Sequence, residues 1–290
     1  MHMIIFGCGY SGAAIAQAAI SAGATAVGTA RTDDKAGALE TQGMRGMVFD
    51  GTMLSEAMIA ELAKATHLVQ SIPPGADGDP LLQLVGGQLR ELCPKLAWIG
   101  YLSTVGVYGD QGGGWVDEDT PCHPKLGRSQ ERVDAETAWL AEGKAAGLPV
   151  AVLRLAGIYG PGRNAFVNLA KGSARRIVKK DQVFNRIRVE DIAGATLFLA
   201  EATQGGVFNI TDDEPAPPQD VISRAASLMG VEPPPEQAFE TADMTPMARS
   251  FYSSNKKVSN RRIGELGYRF RFPEYRKSLE ELWSTGRWKG

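Results

Sequence analysis

The sequence predicts an α/β fold in which a doubly wound parallel sheet of about seven strands is flanked by helices. Three observations support this prediction. Short apolar segments alternate with segments of helical pattern through the first two-thirds of the chain. A glycine-rich turn joins the first apolar segment to an alanine-rich one, and proline-rich, irregular sequence follows Ile210. The 290 residues suffice for one such domain with a smaller appended unit.

Apolar, strand-like segments account for the predicted sheet, and the segments between them have the length of crossover helices. The strand-like segments are Met3–Phe6, Ala26–Ala30, Gly46–Phe49, His67–Ser71, Trp98–Leu102, Val150–Leu155 and Val207–Ile210. The helical patterns cover 11–22, 54–65, 80–93, 129–146 and 190–202. Because parallel neighbours need a crossover connection, this order predicts a doubly wound sheet.

Two parts of the chain lie outside this alternation, and prolines interrupt the second of them at 215, 217, 218 and 233–235. We predict that 1–160 and 186–212 form the dinucleotide-binding sheet domain. We predict that 161–185 and 213–290 form a small substrate-binding subdomain. Ligands of open α/β sheets bind at the carboxyl edge of the strands, where such insertions supply substrate contacts.

Composition excludes several classes of protein. A net charge of −2 gives no general attraction to nucleic acid or anionic membrane, and no apolar run approaches the roughly 18 residues of a membrane span. The first segment is a strand without a signal-peptide pattern, so we expect a cytoplasmic protein. Three cysteines without C-x-x-C spacing and three scattered histidines predict reduced thiols and no metal site. Both a monomer and a homodimer remain open.

The first strand-like segment runs directly into a G-x-G-x-x-G turn, and a helical segment rich in alanine follows. In such a turn the first glycine permits a tight bend, the second permits close approach of a pyrophosphate, and the third permits helix–strand packing. The amides and the dipole of the helix N-terminus bind the phosphate charge. The sequence therefore predicts a Rossmann-type dinucleotide site formed by Gly7, Cys8, Gly9, Tyr10, Ser11 and Gly12.

Cys8 has two interpretations. A helix N-terminus lowers the pKa of a thiol, which favours reactivity. We favour instead a small residue that the turn accommodates.

The residues that end the second strand distinguish NAD from NADP. A carboxylate there binds the ribose hydroxyls of NAD, whereas this chain has Arg31 and Thr32, which suit a 2′-phosphate. Asp33 and Asp34 come too late in the sequence and are typical of helix capping. We therefore expect NADP rather than NAD, and the alternative is that Arg31 is only a solvated residue.

Two further strand ends are expected near the dinucleotide. Asp50 follows the third strand and is placed to meet the adenine amine, although a simple turn aspartate is an equal alternative. Ser71, Ile72 and Pro73 follow the fourth strand, and we expect this loop to pass close to the ribose and phosphates of the cofactor.

Four segments carry a resemblance to a known family: 102–110 (LSTVGVYGD), 153–163 (LRLAGIYGPGR), 186–191 (RIRVED) and 208–211 (FNIT). In order and spacing they resemble the extended short-chain dehydrogenase/reductase family, the NAD-dependent epimerase/dehydratase group. The glycine spacing of the first turn is narrower than the family's usual pattern and is similar to that of its atypical branch. The resemblance implies a nicotinamide cofactor and chemistry at a hydroxyl or carbonyl group.

Members of that family use a Ser or Thr together with a Tyr-x-x-x-Lys pair on one helix face. The resemblance places the Ser/Thr role on Thr104, with Ser103 as the neighbouring candidate. Its tyrosine and lysine should fall near 126–133, where the sequence has no tyrosine.

One alignment register places Leu126 and Gln130 at the two positions of the pair. The register we prefer places Arg128 and Arg132 there. Arg132 could donate to ribose hydroxyls, and Arg128 could hold an oxyanion, but an arginine is a poor proton donor near neutrality. An equal alternative is Arg–Glu pairing, four residues apart, on a solvated helix.

Substitute acids are few. Tyr108 lies next to the end of the fifth strand, where the family uses this residue for packing and substrate contact. His123 lies in the loop before the altered helix and titrates in a useful range, but a lone loop histidine is typical of a surface. Tyr252 and Lys256 have the literal Tyr-x-x-x-Lys spacing but lie outside the fold position that the chemistry needs.

The sequence thus supports two functions. The first is an NADP-dependent oxidoreductase or epimerase-like enzyme acting on a small polar substrate without the usual Tyr-Lys pair. The second is a non-catalytic NADPH-binding sensor or regulatory protein. The basic stretch 171–188 favours an anionic substrate if it faces the ligand, although an amphipathic helix with a solvated basic face is the other interpretation.

Overall fold

The computed structural model describes residues 1–124 and 127–290. Leu126, one position of the alternative alignment register, therefore lies outside the described residues. The described residues form two compact units. The first unit comprises Met1–Val107, Pro124–Leu155 and Ile192–Phe208, and the second comprises Tyr108–His123, Ala156–Asp191 and Asn209–Gly290. Four segments that we expected in the sheet domain belong to the second unit: 108–123, 156–160, 186–191 and 209–212.

Strands and helices alternate through most of the described chain. The strands are β1 (His2–Phe6), β2 (Thr25–Ala30), β3 (Arg45–Val48), β4 (His67–Gln70), β5 (Trp98–Thr104), β6 (Trp115–Val116), β7 (Val150–Leu155), β8 (Gly157–Tyr159), β9 (Arg176–Val178), β10 (Arg186–Arg188), β11 (Gly206–Ile210), β12 (Glu236–Ala238) and β13 (Lys257–Val258). The helices are α1 (Tyr10–Ser21), α2 (Asp33–Glu40), α3 (Glu56–Leu62), α4 (Leu82–Val85), α5 (Leu89–Leu92), α6 (Arg128–Ala146), α7 (Ala165–Ala170), α8 (Val189–Glu201), α9 (Pro218–Met229), α10 (Pro246–Phe251), α11 (Arg261–Glu265) and α12 (Tyr275–Ser284). Short 3₁₀ helices span Val105–Tyr108 and Arg287–Lys289.

Seven of these strands form one sheet in the order β11-β7-β5-β4-β1-β2-β3. The neighbours from β7 to β3 pair in parallel. The predicted doubly wound, Rossmann-type sheet is therefore confirmed. The strand order reverses between β1 and β4, and the carboxyl ends of strands at such a switch point are where α/β sheets bind ligands.

Two helices of the first unit differ from the sequence prediction. The single helix predicted over 80–93 is divided into α4 and α5, because Gly87 between them adopts a φ of +73° that ends the first helical turn. The short, polar helix α2 was not predicted, since it carries too few apolar residues to give a helical pattern.

The core of the first unit is apolar and continuous. Phe6, Leu68 and Ile99 from the strands pack with Leu62 and Trp139 from the helices, and all five side chains are fully or almost fully buried. This packing fixes the sheet and, with it, the positions of the strand ends.

The second unit has a smaller core around Phe166, Tyr275 and Leu282, which come from α7 and α12. Three two-stranded pairs complete it: β8 with β10, β9 with β12, and β6 with β13. None of the described helices is both long enough and apolar enough to cross a bilayer.

Candidate functional site

Two of the three glycines of the first turn are required by the protein's own structure, each for a different reason. Gly7 has a φ of +78°, and a Cβ there would lie 2.7 Å from Cγ1 of Ile72. At Gly12 a Cβ would lie 3.0 Å from the carbonyl oxygen of Gly7 and 3.2 Å from Cγ2 of Ile5, so this glycine permits α1 to pack on β1. The turn therefore needs Gly7 for its bend and Gly12 for its packing.

Gly9 is different, because nothing in the protein itself requires a glycine there. Its backbone (φ −84°, ψ −153°) is open to any residue, and no described atom lies within 4 Å of the position of its Cβ. It is exposed at the N-terminus of α1, and no acidic side chain lies in the first turn. The open space above Gly9 fits the close approach of a phosphate group to the first-turn amides of Ser11 and Gly12.

The turn is held in place by β2. The amide of Gly7 donates to Oγ1 of the buried Thr29 at 2.9 Å, and the amide of Cys8 donates to the Thr29 carbonyl at 2.8 Å. The amide of Gly9 donates back to the carbonyl of Gly7 at 2.7 Å. These bonds preorganise the backbone around the open space. Tyr10 begins α1 and is half-buried.

Cys8 faces the interior of the unit. Its Sγ lies 3.5 Å from Sδ of Met44, and a Cβ on Gly28 would lie 2.9 Å from the same sulfur. Burial raises the pKa of the Cys8 thiol to about 11. The residue is thus an inert part of the turn rather than a reactive thiol, and its amide is already bonded to Thr29.

The side chains of the two residues that follow β2 have no bonding partner among the described residues. Arg31 and Thr32 are both exposed, and neither side chain makes a hydrogen bond or ion pair with a described residue. Thr32 is the N-cap residue of α2, and Asp33 and Asp34 lie in its first turn. The two acids favour the N-terminus of α2 electrostatically, without the capping role that we expected of them, and Arg31 remains available for a ligand.

The third and fourth strand ends have different surroundings. Asp50 uses Oδ1 to accept from the amide of Thr52 at 2.9 Å and from its hydroxyl at 2.7 Å, and these bonds lower the pKa of Asp50. This geometry is that of a turn aspartate. Ser71 donates its amide to the carbonyl of Phe6 at 2.9 Å, and Ile72 lies against Gly7, so this loop does reach the glycine turn. Pro73 follows and is exposed.

Thr104 and Ser129 place two hydroxyl groups at the end of β5. Thr104 is its last residue, and its Oγ1 accepts from the amide of Gly106 at 3.0 Å. The Oγ1 of Thr104 and the Oγ of Ser129 each lie 3.3 Å from the position that a Cβ on Gly106 would occupy. No described residue accepts the proton of the Thr104 hydroxyl, so it can be donated to a ligand.

Ser103 is not a second candidate for the Ser/Thr role. It is buried, and its hydroxyl donates to Oε1 of Glu136 on α6. Arg154 on β7 donates to the same carboxylate, with Nη2 to Oε2 at 2.7 Å. This buried group joins β5, α6 and β7, so the sequence expectation for Ser103 is corrected to a structural role.

Arg128 and Arg132 occupy the first turns of α6. Nη1 of Arg132 donates to the carbonyl of Leu102 at 2.5 Å, which fixes this cation beneath the end of β5. Arg128 is exposed and makes no ion pair with a described residue. The Arg–Glu pairing that we considered for this helix is not observed among the described residues, because Glu136 pairs with Arg154 instead.

The candidate substitute acids belong to the second unit. Tyr108 is fully buried in the second unit, where its hydroxyl donates to Oδ1 of Asn209 at 2.7 Å, so it serves packing and not proton transfer. His123 is an exposed residue of the same unit. Tyr252 and Lys256 are both buried there, and Nζ of Lys256 donates to the carbonyl of Gly109 at 2.8 Å.

Sequence reasoning did not single out two residues of this region, Ser129 and Glu136. Glu136 had a detectable signal, because Arg154 interrupts an otherwise apolar strand and a buried arginine needs a counter-charge. Once Glu136 is placed opposite β7, helix geometry also places Ser129, which lies seven residues earlier and about two turns away on the same helix.

Comparison with solved structures defines the class of the protein. The UDP-glucose 4-epimerase of Thermus thermophilus, solved in complex with NAD, matches 97% of this chain and 98% of its own, with a TM-score of 0.75 and 19% sequence identity. The chain thus has the fold of the extended short-chain dehydrogenase/reductases, the NAD-dependent epimerase/dehydratase group. The resemblance seen in the sequence motifs is confirmed at the level of the fold.

A more similar structure defines the family. A conserved, functionally unknown protein from Silicibacter pomeroyi is 45% identical, covers 99% of each chain and superposes with a TM-score of 0.90. Our chain belongs to the same family as this protein. Protein YeeZ of Escherichia coli K12 is 27% identical over 285 residues, covering 93% of this chain and 96% of YeeZ. No family model matches the sequence.

Proposed function

We propose that the protein binds a nicotinamide dinucleotide, NADP(H) in preference to NAD(H), and acts with it on a hydroxyl or carbonyl group of a small polar substrate. The observation that carries this proposal is the open space above Gly9, which the protein's own atoms do not explain. The NAD complex of the structurally similar Thermus thermophilus epimerase supports a nicotinamide cofactor.

The residues present fit such a cofactor. The first-turn amides of Ser11 and Gly12 would hold its pyrophosphate. Arg31, which has no partner among the described residues, would pair with a 2′-phosphate, and Thr32 would add a hydroxyl bond. Asp50 keeps Oδ2 for the adenine amine, and the Ser71–Pro73 loop borders the turn.

A bound nicotinamide supplies hydride transfer to or from a substrate carbon. Thr104 donates its free hydroxyl proton to the substrate oxygen in a hydrogen bond, and Ser129 offers a second hydroxyl beside it. Arg132 keeps a cation below this position, and Arg128 adds positive charge at the start of α6. Because arginine does not release its proton near neutrality, the proton transferred to the substrate oxygen comes from water or from the substrate itself.

The second candidate is a non-catalytic NADPH-binding protein. What favours it is the alignment register that we prefer, which places Arg128 and Arg132 where the family has its tyrosine and lysine. In this case NADPH changes the oligomeric state or a partner's affinity, and no oxidation of NADPH follows.

A thermal-shift titration with NADPH, NADP⁺, NADH and NAD⁺ tests the nucleotide preference. Arg31→Ala should weaken NADP⁺ binding about 10- to 100-fold and leave NAD⁺ unchanged, since charge-assisted bonds to phosphate contribute about 1.5–3 kcal/mol. Lys35→Ala, an exposed lysine on α2, is the matched control. Undiminished NADP⁺ binding by Arg31→Ala would contradict the role of Arg31.

Turnover with a panel of carbonyl substrates, followed by loss of NADPH absorbance, separates the two functions. Thr104→Val should lower kcat about 100-fold without changing NADPH affinity, because a donor to the developing oxyanion is lost. Thr104→Ser, which keeps the hydroxyl, is the control. An unaltered rate in Thr104→Val would refute the role of Thr104, and NADPH binding without oxidation by any substrate would favour the non-catalytic function.

A further inference from the structure

Two arginines of the basic stretch 171–188 lack an ion-pair partner among the described residues: Arg175, which is exposed, and Arg186, which is partly buried. The stretch forms β9 and β10 instead of the amphipathic helix considered from the sequence. Arg176 pairs with Glu236 at 2.6 Å. Arg188, which is fully buried, pairs with Glu190 and Glu281, each at 2.8 Å. Arg186, two residues earlier on β10, makes no ion pair with any described carboxylate.

The bonds of Arg186 leave most of its donors unused. Nη1 donates to the carbonyls of Phe184 at 2.9 Å and Ala216 at 3.1 Å, and the guanidinium lies 5.7 Å from the ring centre of Tyr275. Nε and Nη2 have no hydrogen-bond partner among the described residues. The carboxyl group of Asp212 acts on Arg186 from beyond ion-pair distance, so Nε and Nη2 remain able to bind an anion.

The strand register opens a space beside Arg186. In the parallel pair of β8 and β10, Arg186 lies opposite Gly157 and Arg188 lies opposite Tyr159. Residues at alternate positions share one face, so Arg186, Gly157 and Tyr159 all belong to the same face. Gly157 is exposed, and a Cβ there would meet only the carbonyl oxygen of Asn185, at 3.1 Å. The place opposite Arg186 is therefore empty of side chain.

Two buried polar atoms near this space lack a partner. The hydroxyl of Tyr159 and Oδ2 of Asp212 are inaccessible to solvent, and neither makes a hydrogen bond of good geometry with a described group. Asp212 is 1% exposed, and its amide donates to the carbonyl of Arg186 at 2.7 Å. We call Gly157, Tyr159, Arg186, Asp212 and Tyr275 the Arg186 recess.

We propose that the Arg186 recess binds an oxyanion group, carboxylate or phosphate, of a small molecule, with Arg186 as counter-charge and the side chains of Tyr159 and Asp212 as hydrogen-bond partners. This assignment goes beyond the proposed function, because it concerns residues of the second unit alone and does not require a nicotinamide. If the proposed function is correct, the oxyanion belongs to the substrate.

The protonation of Asp212 gives the site a characteristic pH dependence. Burial raises the pKa of Asp212 to about 8, although the charge of Arg186 acts in the opposite direction. Below about pH 8 Asp212 donates to the anion. Above that pH the carboxylate repels the anion and neutralises Arg186, so the affinity for the anion falls.

Other titratable groups surround these residues and contribute to the same balance. Asp213 and Asp191 also raise the pKa of Asp212. The remaining groups that face Tyr159, Arg186 or Tyr275 come from β10, α9 and α12, and they are Arg188, Asp220, Arg224 and Tyr275 itself.

Calorimetric titration of the full chain without nucleotide tests the site, with inorganic phosphate and malonate as separate probes. We expect at least one of them to bind. Arg186→Gln should weaken that binding at least tenfold, whereas Lys180→Gln, a lysine of the same stretch outside the recess, should leave it unchanged. Tyr159→Phe, which removes only the unpartnered hydroxyl, should weaken anion binding several-fold. This variant tests the site if Arg186→Gln does not fold.

Repeating the titration from pH 6 to 9.5 adds a second test, because a purely structural role of Asp212 would not make the affinity for the anion depend on pH. Affinity of the wild type should fall about tenfold per unit above pH 8, and Asp212→Asn, which cannot ionise, should remove this fall. Absence of binding by both probes, or wild-type affinity in Arg186→Gln and Tyr159→Phe, would overturn the proposal. Because no nucleotide is present, such a failure is distinct from a failure of dinucleotide binding.

Discussion

Replacing Gly9 with alanine should abolish dinucleotide binding and leave folding almost unchanged. The new Cβ has no described atom within 4 Å, and the backbone at Gly9 lies in a region open to alanine. A small loss at the helix N-cap is offset by the lower entropy of the unfolded chain, so the free energy of unfolding should change by less than about 1 kcal/mol. The same methyl group fills the space proposed for the pyrophosphate, so dinucleotide binding should be lost.

Gly7→Ala provides the contrasting control. Alanine at a φ of +78° costs about 1–2 kcal/mol, and its Cβ would lie 2.7 Å from Ile72, which adds about 1–3 kcal/mol of overpacking. This variant should therefore be destabilised by roughly 2–5 kcal/mol before any ligand is considered.

Thermal unfolding with and without NADP⁺ measures both effects. A ligand at about 100 times its Kd stabilises the wild type by roughly 2.7 kcal/mol. Gly9→Ala should keep the Tm of the free wild type and lose this ligand-dependent increase. If Gly9→Ala retains the full increase, the open space is not the dinucleotide site; if the variant unfolds without ligand, the glycine serves folding instead.

Two further predictions concern buried groups of the first unit. Glu136→Gln should destabilise the protein by about 3–5 kcal/mol in urea unfolding, because it leaves the buried Arg154 without a counter-charge. Glu131→Gln on the same helix is the control. Equal free energies of unfolding for the two variants would mean that the ion pair makes no net contribution to stability. Cys8, with its pKa raised to about 11, should resist iodoacetamide near neutral pH and react only as the pH approaches that value or after unfolding. Labelling of native Cys8 at the rate of a free thiol would refute this assignment.

The strand positions followed from the sequence because apolar runs with short connections leave few alternatives. β7 begins and ends as predicted, and β1, β2 and β4 differ by one residue at a single end. The glycine turn was also predictable, since Gly7 and Gly12 each answer a separate steric requirement. These features depend on local sequence and on the regular geometry of parallel strands.

The residues around Thr104 were harder to predict because their roles depend on contacts between distant segments. Ser103 and Thr104 are adjacent and chemically similar, yet only Ser103 meets the Glu136–Arg154 pair. The burial of Tyr108 depends on Asn209, which lies 101 residues later in the chain. No pattern within a single segment reports such pairings.

The position of the Glu136–Arg154 pair has a consequence for how this fold accommodates different chemistry. Glu136, in the third turn of α6, holds the helix through this pair, whereas Arg128 and Ser129 lie in the first turn of the helix. Side chains in that first turn can therefore be exchanged with little cost in stability, because the energy that orients the helix resides elsewhere. Anchoring a helix away from one end keeps its backbone in place while the side chains of that end are exchanged.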